Sequence, residues 1–150
     1  MRVEGLMTIS YRTGNDLDLD ALIDVYRDST LGERRPVDDR ETMGKMLSGA
    51  NLVVSAWDGD RMIGVARSLT DFAFATYLAD IAVRLAYQRQ GIGRELVKRT
   101  QKEGKTATIF LFAAPAAVPY YPHIGFTEGS GWMLTRMQRV RGRDPGKGEG

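Results

Sequence analysis

Between residues 76 and 103 the chain changes periodicity abruptly, and that change limits the folds open to it. Residues 76–84, TYLADIAVR, are mostly apolar over the length of a strand and read as a central strand. A loop from Gln88 to Gly93 follows and holds two glycines. Residues 91–103 then take helical spacing, with Ile92, Leu96 and Val97 on the buried side and Gly104 at the end. Residues 106–113, TATIFLFA, form another apolar strand. A strand–helix–strand crossover of this kind belongs in a sheet covered on both faces.

The remaining segments fit around that unit. Residues 7–12 alternate as a first strand. Asn15 or Asp16 can cap a helix over 17–29, and Asp38 or Asp39 can start a second over 38–48. Residues 51–57 and 61–69 flank Asp58-Gly59-Asp60, a hairpin signal. Residues 115–123 make a short helix or turn broken by Pro119 and Pro122. Residues 124–128 and 131–137 read as two last strands. The predicted fold is therefore α/β: a mixed, mostly antiparallel sheet of about seven strands with helices on both faces.

With 150 residues, 43% of them hydrophobic, the chain suits one soluble domain with a core that needs no metal or disulfide. The domain is expected over 1–137, followed by a disordered, basic, Gly-rich tail over 138–150. No cysteine is present, which removes thiolate metal sites and a Cys nucleophile. The lone histidine, His123, cannot build a multi-histidine metal site, so no metal is expected. Sitting between Pro122 and Ile124, it reads as a surface residue rather than a base. No apolar run reaches the roughly 18 residues of a membrane span. Residues 1–15 lack a secretory pattern, so a cytoplasmic protein is expected, with no membrane partner.

Net charge is +2, which could suggest nucleic acid. The tail accounts for it: removing residues 138–150 leaves seventeen bases and seventeen acids. No nucleic-acid partner is expected, because such binding needs a basic face on the folded part. Within the body the charge is uneven. Residues 16–41 carry nine acids against four bases. Residues 84–105 carry seven bases (Arg84, Arg89, Arg94, Lys98, Arg99, Lys102 and Lys105) against Glu95 and Glu103. A cationic region suits an anionic ligand; a solvated helix face is the plainer alternative.

The chemistry sits at the join of strand, loop and helix. A helix start presents unpaired N–H groups and the positive end of the dipole. Gly91 and Gly93 let an anion approach the backbone without meeting a Cβ, and Arg89 and Arg94 add charge. A phosphate cradle follows from these parts. It is not a P-loop, since no Gly-Lys-Ser/Thr is present, and Leu96 breaks the dinucleotide fingerprint.

The segment V-R-L-A-Y-Q-R-Q-G-I-G-R-E-L resembles the acetyl-CoA-binding motif of the GCN5-related N-acetyltransferase (GNAT) family, Q/R-x-x-G-x-G/A, at Gln88, Gly91 and Gly93. Y-Y-P-H-I-G-F at 120–126 resembles the family's second signature, at a matching separation. The resemblance covers about residues 7–137. It implies acetyl-CoA as cosubstrate, with the pantetheine arm beside Ile81, Ala82 and Val83 in a gap between two splayed strands. It also implies that the loop amides of Arg89, Gln90, Gly91, Ile92, Gly93 and Arg94 hold the pyrophosphate, with Gln88 among the cofactor-binding residues. Backbone N–H groups of the splayed strand would polarise the thioester carbonyl. Tyr121 falls where many members keep the acid that protonates the coenzyme A thiolate, and it would also touch the cofactor. The alternative for Tyr121 is a packing aromatic.

A base must also take a proton from the attacking amine. Asp80 is the candidate, on the face opposite Ile81 and Val83. Its alternative is a structural salt bridge, to Arg67 on the neighbouring strand. The chain departs from the family at Ala113-Ala114-Pro115, where many members have an asparagine that contacts the cofactor.

Two function classes follow from the resemblance: an N-acetyltransferase acting on a primary amine of a small molecule or peptide, and a non-catalytic acyl-CoA-binding module. The acidic 16–41 segment would favour cationic acceptors. A homodimer through an exposed terminal strand is compatible with the resemblance.

Overall fold

Gly59 turns the chain at φ +59°, and two long strands run back from it. These are β2 (Leu52–Asp58) and β3 (Arg61–Thr70), paired antiparallel from Asp58↔Arg61 to Leu52↔Ser68. The computed structural model describes residues 8–142. It has two units, one ending at Ala113 and the other beginning at Ala114, a boundary inside the domain expected over 1–137.

In the first unit β1 (Ser10–Thr13) joins β2 antiparallel, and β4 (Ala75–Val83) joins β3 antiparallel. The short β5 (Thr108–Phe110) joins β4 in parallel. Sheet order equals chain order, β1-β2-β3-β4-β5. The fold is the expected mixed, mostly antiparallel α/β sheet.

Helices cover both faces. α1 (Leu19–Asp28) carries Leu22, Val25 and Tyr26, which pack with Met43 and Leu47 of α2 (Arg40–Gly49) against Val53, Val65 and Ala82. α3 (Ile92–Glu103) lies on the other face: a Cβ built on Gly64 would come within 3.3 Å of Leu96 Cδ1. Gly64 and Val65 are neighbours on β3, so they point to opposite faces. Asp39 caps α2 as expected, accepting from the Thr42 N–H at 3.1 Å. For α1 the cap is Asp18, which accepts from Ala21 N–H at 2.9 Å, and not Asn15 or Asp16. Asn15 is committed elsewhere: its amide donates to the carbonyls of Leu47 and Ala50 at the end of α2.

The strand count is five among the described residues, not about seven. Residues 124–128 and 131–137 form no strand. Gly125 takes φ +104°, and Gly129 and Gly131 follow closely. Glycine raises the entropy cost of an extended backbone and gives a ladder nothing to pack. Local bonds take over instead: Gln138 N–H donates to the Thr135 carbonyl, and its side-chain oxygen accepts from Thr135 N–H. The second unit otherwise holds a 3₁₀ turn over Pro115–Ala117 and α4 (Tyr120–His123). Of the expected tail, residues 138–142 have no regular structure, and 143–150 lie outside the described residues.

Candidate functional site

β4 is paired on both sides only at its start. Its parallel register with β5 covers Ala75↔Thr108, Thr76↔Ile109 and Tyr77↔Phe110, whereas pairing with β3 runs on to Gly64↔Val83. From Leu78 to Val83 no strand of the described residues lies on the β5 side of β4. Ile81, Ala82 and Val83 therefore sit where β4 has no strand partner on its β5 side among the described residues. Such an edge offers alternate N–H and C=O groups to an extended chain. The Val83 carbonyl is already taken by the Gln88 side-chain amide at 2.8 Å, which ties the loop to the strand end.

The loop beyond β4 is built to start a helix without a cap. Leu85–Tyr87 make one 3₁₀ turn, and the buried Tyr87 donates its hydroxyl to Asp58 at 2.6 Å. Arg89 and Gly91 both take positive φ, +64° and +83°. Gly91 stands at the N-cap of α3, and no side chain caps that helix. An added Cβ on Gly91 would meet nothing within 4 Å, so the space above it is open. The first helical bond is Glu95 N–H to the Gly91 carbonyl, at 3.0 Å. Donors of Ile92, Gly93 and Arg94 precede it and carry the positive end of the dipole. Arg89, Gln90 and Arg94 are exposed around this point, while the Ile92 side chain turns into the core. The arrangement can hold a phosphate group.

Of the seven bases in this region one is buried, and a second is exposed but already paired. Arg84 is buried and donates to the Met62 carbonyl at 2.8 Å and to Asp24 at 2.6 Å. Arg99 pairs with Glu95 at 2.9 Å and lies over the Tyr11 ring. Arg89, Arg94, Lys98, Lys102 and Lys105 stay exposed. The cationic surface is therefore narrower than the sequence count suggests.

Asp80 lies on the α1 face of β4, opposite Ile81 and Val83, and its side chain is 1% exposed. One carboxylate oxygen accepts from Arg35 Nε at 2.5 Å. The other accepts from Arg67 Nε and from the Tyr26 hydroxyl, each at 2.6 Å. The salt bridge to Arg67, one of the two alternatives, is present. Burial pushes the Asp80 carboxyl up, but the donors Arg67, Tyr26 and Arg35 outweigh it and hold it below its ordinary value. Tyr26 is pushed above its ordinary value, first by burial and then by the Asp80 charge. Sequence reasoning missed Arg35 and Tyr26. Tyr26 shows only as an apolar position of α1, and Arg35 only as one charge in an acidic stretch.

In the second unit, Tyr121 sits in the first turn of α4. Its ring meets Tyr120 and Phe126 edge-to-face, each at 5.4 Å between centroids. Phe126 N–H donates to the Tyr121 carbonyl at 3.1 Å. Gly125, at φ +104°, is the residue that lets the chain turn back so closely. The Gly-Phe pair thus works as a local brace for Tyr121. Among the described residues no three His, Cys, Asp or Glu side chains form a metal cluster, and no helix is long and apolar enough to cross a membrane.

A sequence model of the acetyltransferase (GNAT) domain matches residues 27–132. The chain is 33% identical over 101 residues to an uncharacterized N-acetyltransferase ycf52-like protein of Prochlorococcus marinus, a match that covers 63% of this chain and 54% of that protein. The chain spans about half the length, or less, of the curated relatives it matches. Its fold is shared with a GNAT-family acetyltransferase from Streptococcus pneumoniae TIGR4, with a TM-score of 0.72 and 24% identity over 87% of this chain and all of that one. It is also shared with aminoglycoside N-acetyltransferase AAC(6')-Iy in complex with CoA, with a TM-score of 0.70 and 16% identity over 93% of this chain and all of that one. The parted strand edge, the uncapped glycine-led helix and the family match agree, and the chain belongs to the GCN5-related N-acetyltransferase family.

Proposed function

We propose that the chain is a cytoplasmic, acetyl-CoA-dependent N-acetyltransferase that acts on a primary amine of a small molecule or peptide by direct attack in a ternary complex. One observation carries the reading. Beside the open edge of β4, α3 begins at a left-handed glycine with clear space above it and no capping side chain. That juxtaposition suits a ligand with a phosphate at one end and an amide-containing arm along the strand. It supports acetyl-CoA, which supplies an activated acetyl thioester when bound; the similarity to a solved structure that holds CoA adds to it.

In this reading the N–H groups at Ile92, Gly93 and Arg94 take the pyrophosphate, with Arg89, Gln90 and Arg94 flanking it. Gln88 fixes the loop by its bond to Val83. The backbone of Ile81, Ala82 and Val83 pairs with the arm and polarises the acyl carbonyl. Tyr121 is the proposed acid for the departing thiolate. A base must present a free lone pair to the ammonium proton. Asp80 is buried, and its three donors, two of them guanidinium groups, hold its carboxyl below the ordinary value, which makes it a poor acceptor for that proton; we therefore assign the proton to solvent and give Asp80 a positioning part.

The test is calorimetric titration with acetyl-CoA of the wild type and of Gly91→Trp, whose indole would fill the open space. Binding lost in the variant supports the site. A folded wild type that binds no acetyl-CoA overturns the proposal. Binding without thiol release across a broad panel of amines would instead favour the non-catalytic module.

A further inference from the structure

β4 leaves β5 within two residues of a β-bulge. Arg67 is opposite Asp80 and Ser68 is opposite Leu78, so Ala79 is an extra residue with no partner on β3. A bulge bends its strand and increases the local twist. This one lies between Tyr77, the last β4 residue paired to β5, and Ile81–Val83 at the candidate site.

A bulged residue takes its main-chain groups out of the ladder, and the half-buried Ala79 is left with a carbonyl that another donor can take. Arg35 supplies one. Its Nη2 donates to the Ala79 carbonyl at 2.9 Å while its Nε donates to Asp80 at 2.5 Å. One guanidinium fork therefore grips the bulged residue and the residue after it. Its remaining amino group turns back to the Arg34 carbonyl at 2.8 Å. The second Asp80 oxygen is fastened to β3 through Arg67 and to α1 through Tyr26. Of the three donors, Arg35 alone comes from a connection, the segment between α1 and α2. Pro36 follows it and biases its backbone to the extended conformation observed, φ −137° and ψ 154°.

We infer that Arg35 is a positioning residue: from the α1–α2 connection it holds the Ala79 bulge, and with it the gap between β4 and β5. The inference rests on the proposed use of that gap by the pantetheine arm of acetyl-CoA. It goes further by giving a side chain remote in sequence control over the gap but not over the phosphate cradle.

Two variants separate the possibilities. Arg35→Met removes the fork and leaves Asp80 paired with Arg67 and Tyr26. Arg35→Lys keeps the charge but presents a point donor in place of the fork. Each is titrated with acetyl-CoA and with the 3′-phosphorylated ADP fragment, which lacks the pantetheine arm, and thermal unfolding checks the fold. Arg35→Met is expected to lose about tenfold in affinity for acetyl-CoA and to bind the fragment as the wild type does. Arg35→Lys is expected to lose less. Hydrogen exchange of the unliganded variants should speed up at residues 79–83.

Equal acetyl-CoA affinity in wild type and Arg35→Met, with unchanged exchange at 79–83, would overturn the inference alone. Equal losses for both ligands would also overturn it, since a general loosening would then explain the effect. A wild type that binds neither ligand would overturn the acetyl-CoA reading, whereas unchanged exchange at 79–83 in Arg35→Met would overturn this inference whether or not acetyl-CoA binds. Should Arg35→Met fail to fold, the comparison is read on Arg35→Lys.

Discussion

A carboxylate as enclosed as Asp80 is stable only because three donors converge on it. Removing the charge leaves Arg35 and Arg67 facing a neutral amide in a buried place. Asp80→Asn is therefore expected to cost about 3 kcal/mol, measured by denaturant unfolding. Its contribution has a definite pH sign. The carboxyl is held below its ordinary value of 3.8 in the folded protein. The stabilisation is thus fully present above the unfolded value and lost as pH falls through the folded one. Wild type and Asp80→Asn should converge in stability under strongly acidic conditions and differ most near neutrality. Tyr26→Phe should cost about 2 kcal/mol, as expected for a buried hydroxyl bonded to a charge. A cycle with Asp80→Asn should be markedly non-additive, because both changes remove the same bond. At Tyr121 the expectation is kinetic. If its hydroxyl protonates the thiolate, Tyr121→Phe lowers kcat by about a hundredfold or more and leaves acetyl-CoA affinity near that of the wild type. Equal kcat for the two proteins would leave Tyr121 with packing only.

At the scale of elements, two glycines matter for different reasons. Gly64 lets α3 close on the sheet: a Cβ there would sit 3.3 Å from both the Ala82 carbonyl and Leu96 Cδ1. Gly64→Val should therefore destabilise by about 2 kcal/mol through overpacking, read as a lower unfolding midpoint. At Gly91 there is space for a side chain but not the backbone conformation, since φ is +83°. Gly91→Ala should cost about 1 kcal/mol from the left-handed backbone alone. Comparing Gly91→Ala with Gly91→Trp then separates the effect of backbone strain on acetyl-CoA binding from that of a filled cradle. The ends of the helices were legible to within a few residues, because capping acids and terminal glycines act locally. The ends of β5 were not. Eight apolar residues, TATIFLFA, read as one strand, yet only Thr108–Phe110 pair. Where β4 bends away there is nothing to pair with, and no local signal in residues 106–113 reports a bend in another strand.

For the whole chain, the basic balance belongs to residues 138–150, and the body carries seventeen charges of each sign. Removing the tail should leave acetyl-CoA affinity unchanged by calorimetry. Any retention on duplex DNA should disappear with the tail and weaken steeply with salt. Loss of acetyl-CoA affinity on truncation would instead give the tail a part in the site. The sequence was sufficient for the crossover, the Asp58-Gly59-Asp60 hairpin and the glycine-led start of α3, because each rests on residues within one turn or one strand of each other. A positive φ needs glycine, and an apolar period needs a buried face, whatever surrounds them. It was not sufficient for the direction in which charged groups face. Arg84 counts as part of a cationic surface in the sequence and is buried against α1 in the structure. Asp80 meets Tyr26 across 54 residues and Arg35 across 45, and Ala79 bulges opposite a strand whose register is set elsewhere. Those contacts depend on how α1, its following connection, β3 and β4 pack together, and side-chain chemistry read in chain order carries no measure of that distance.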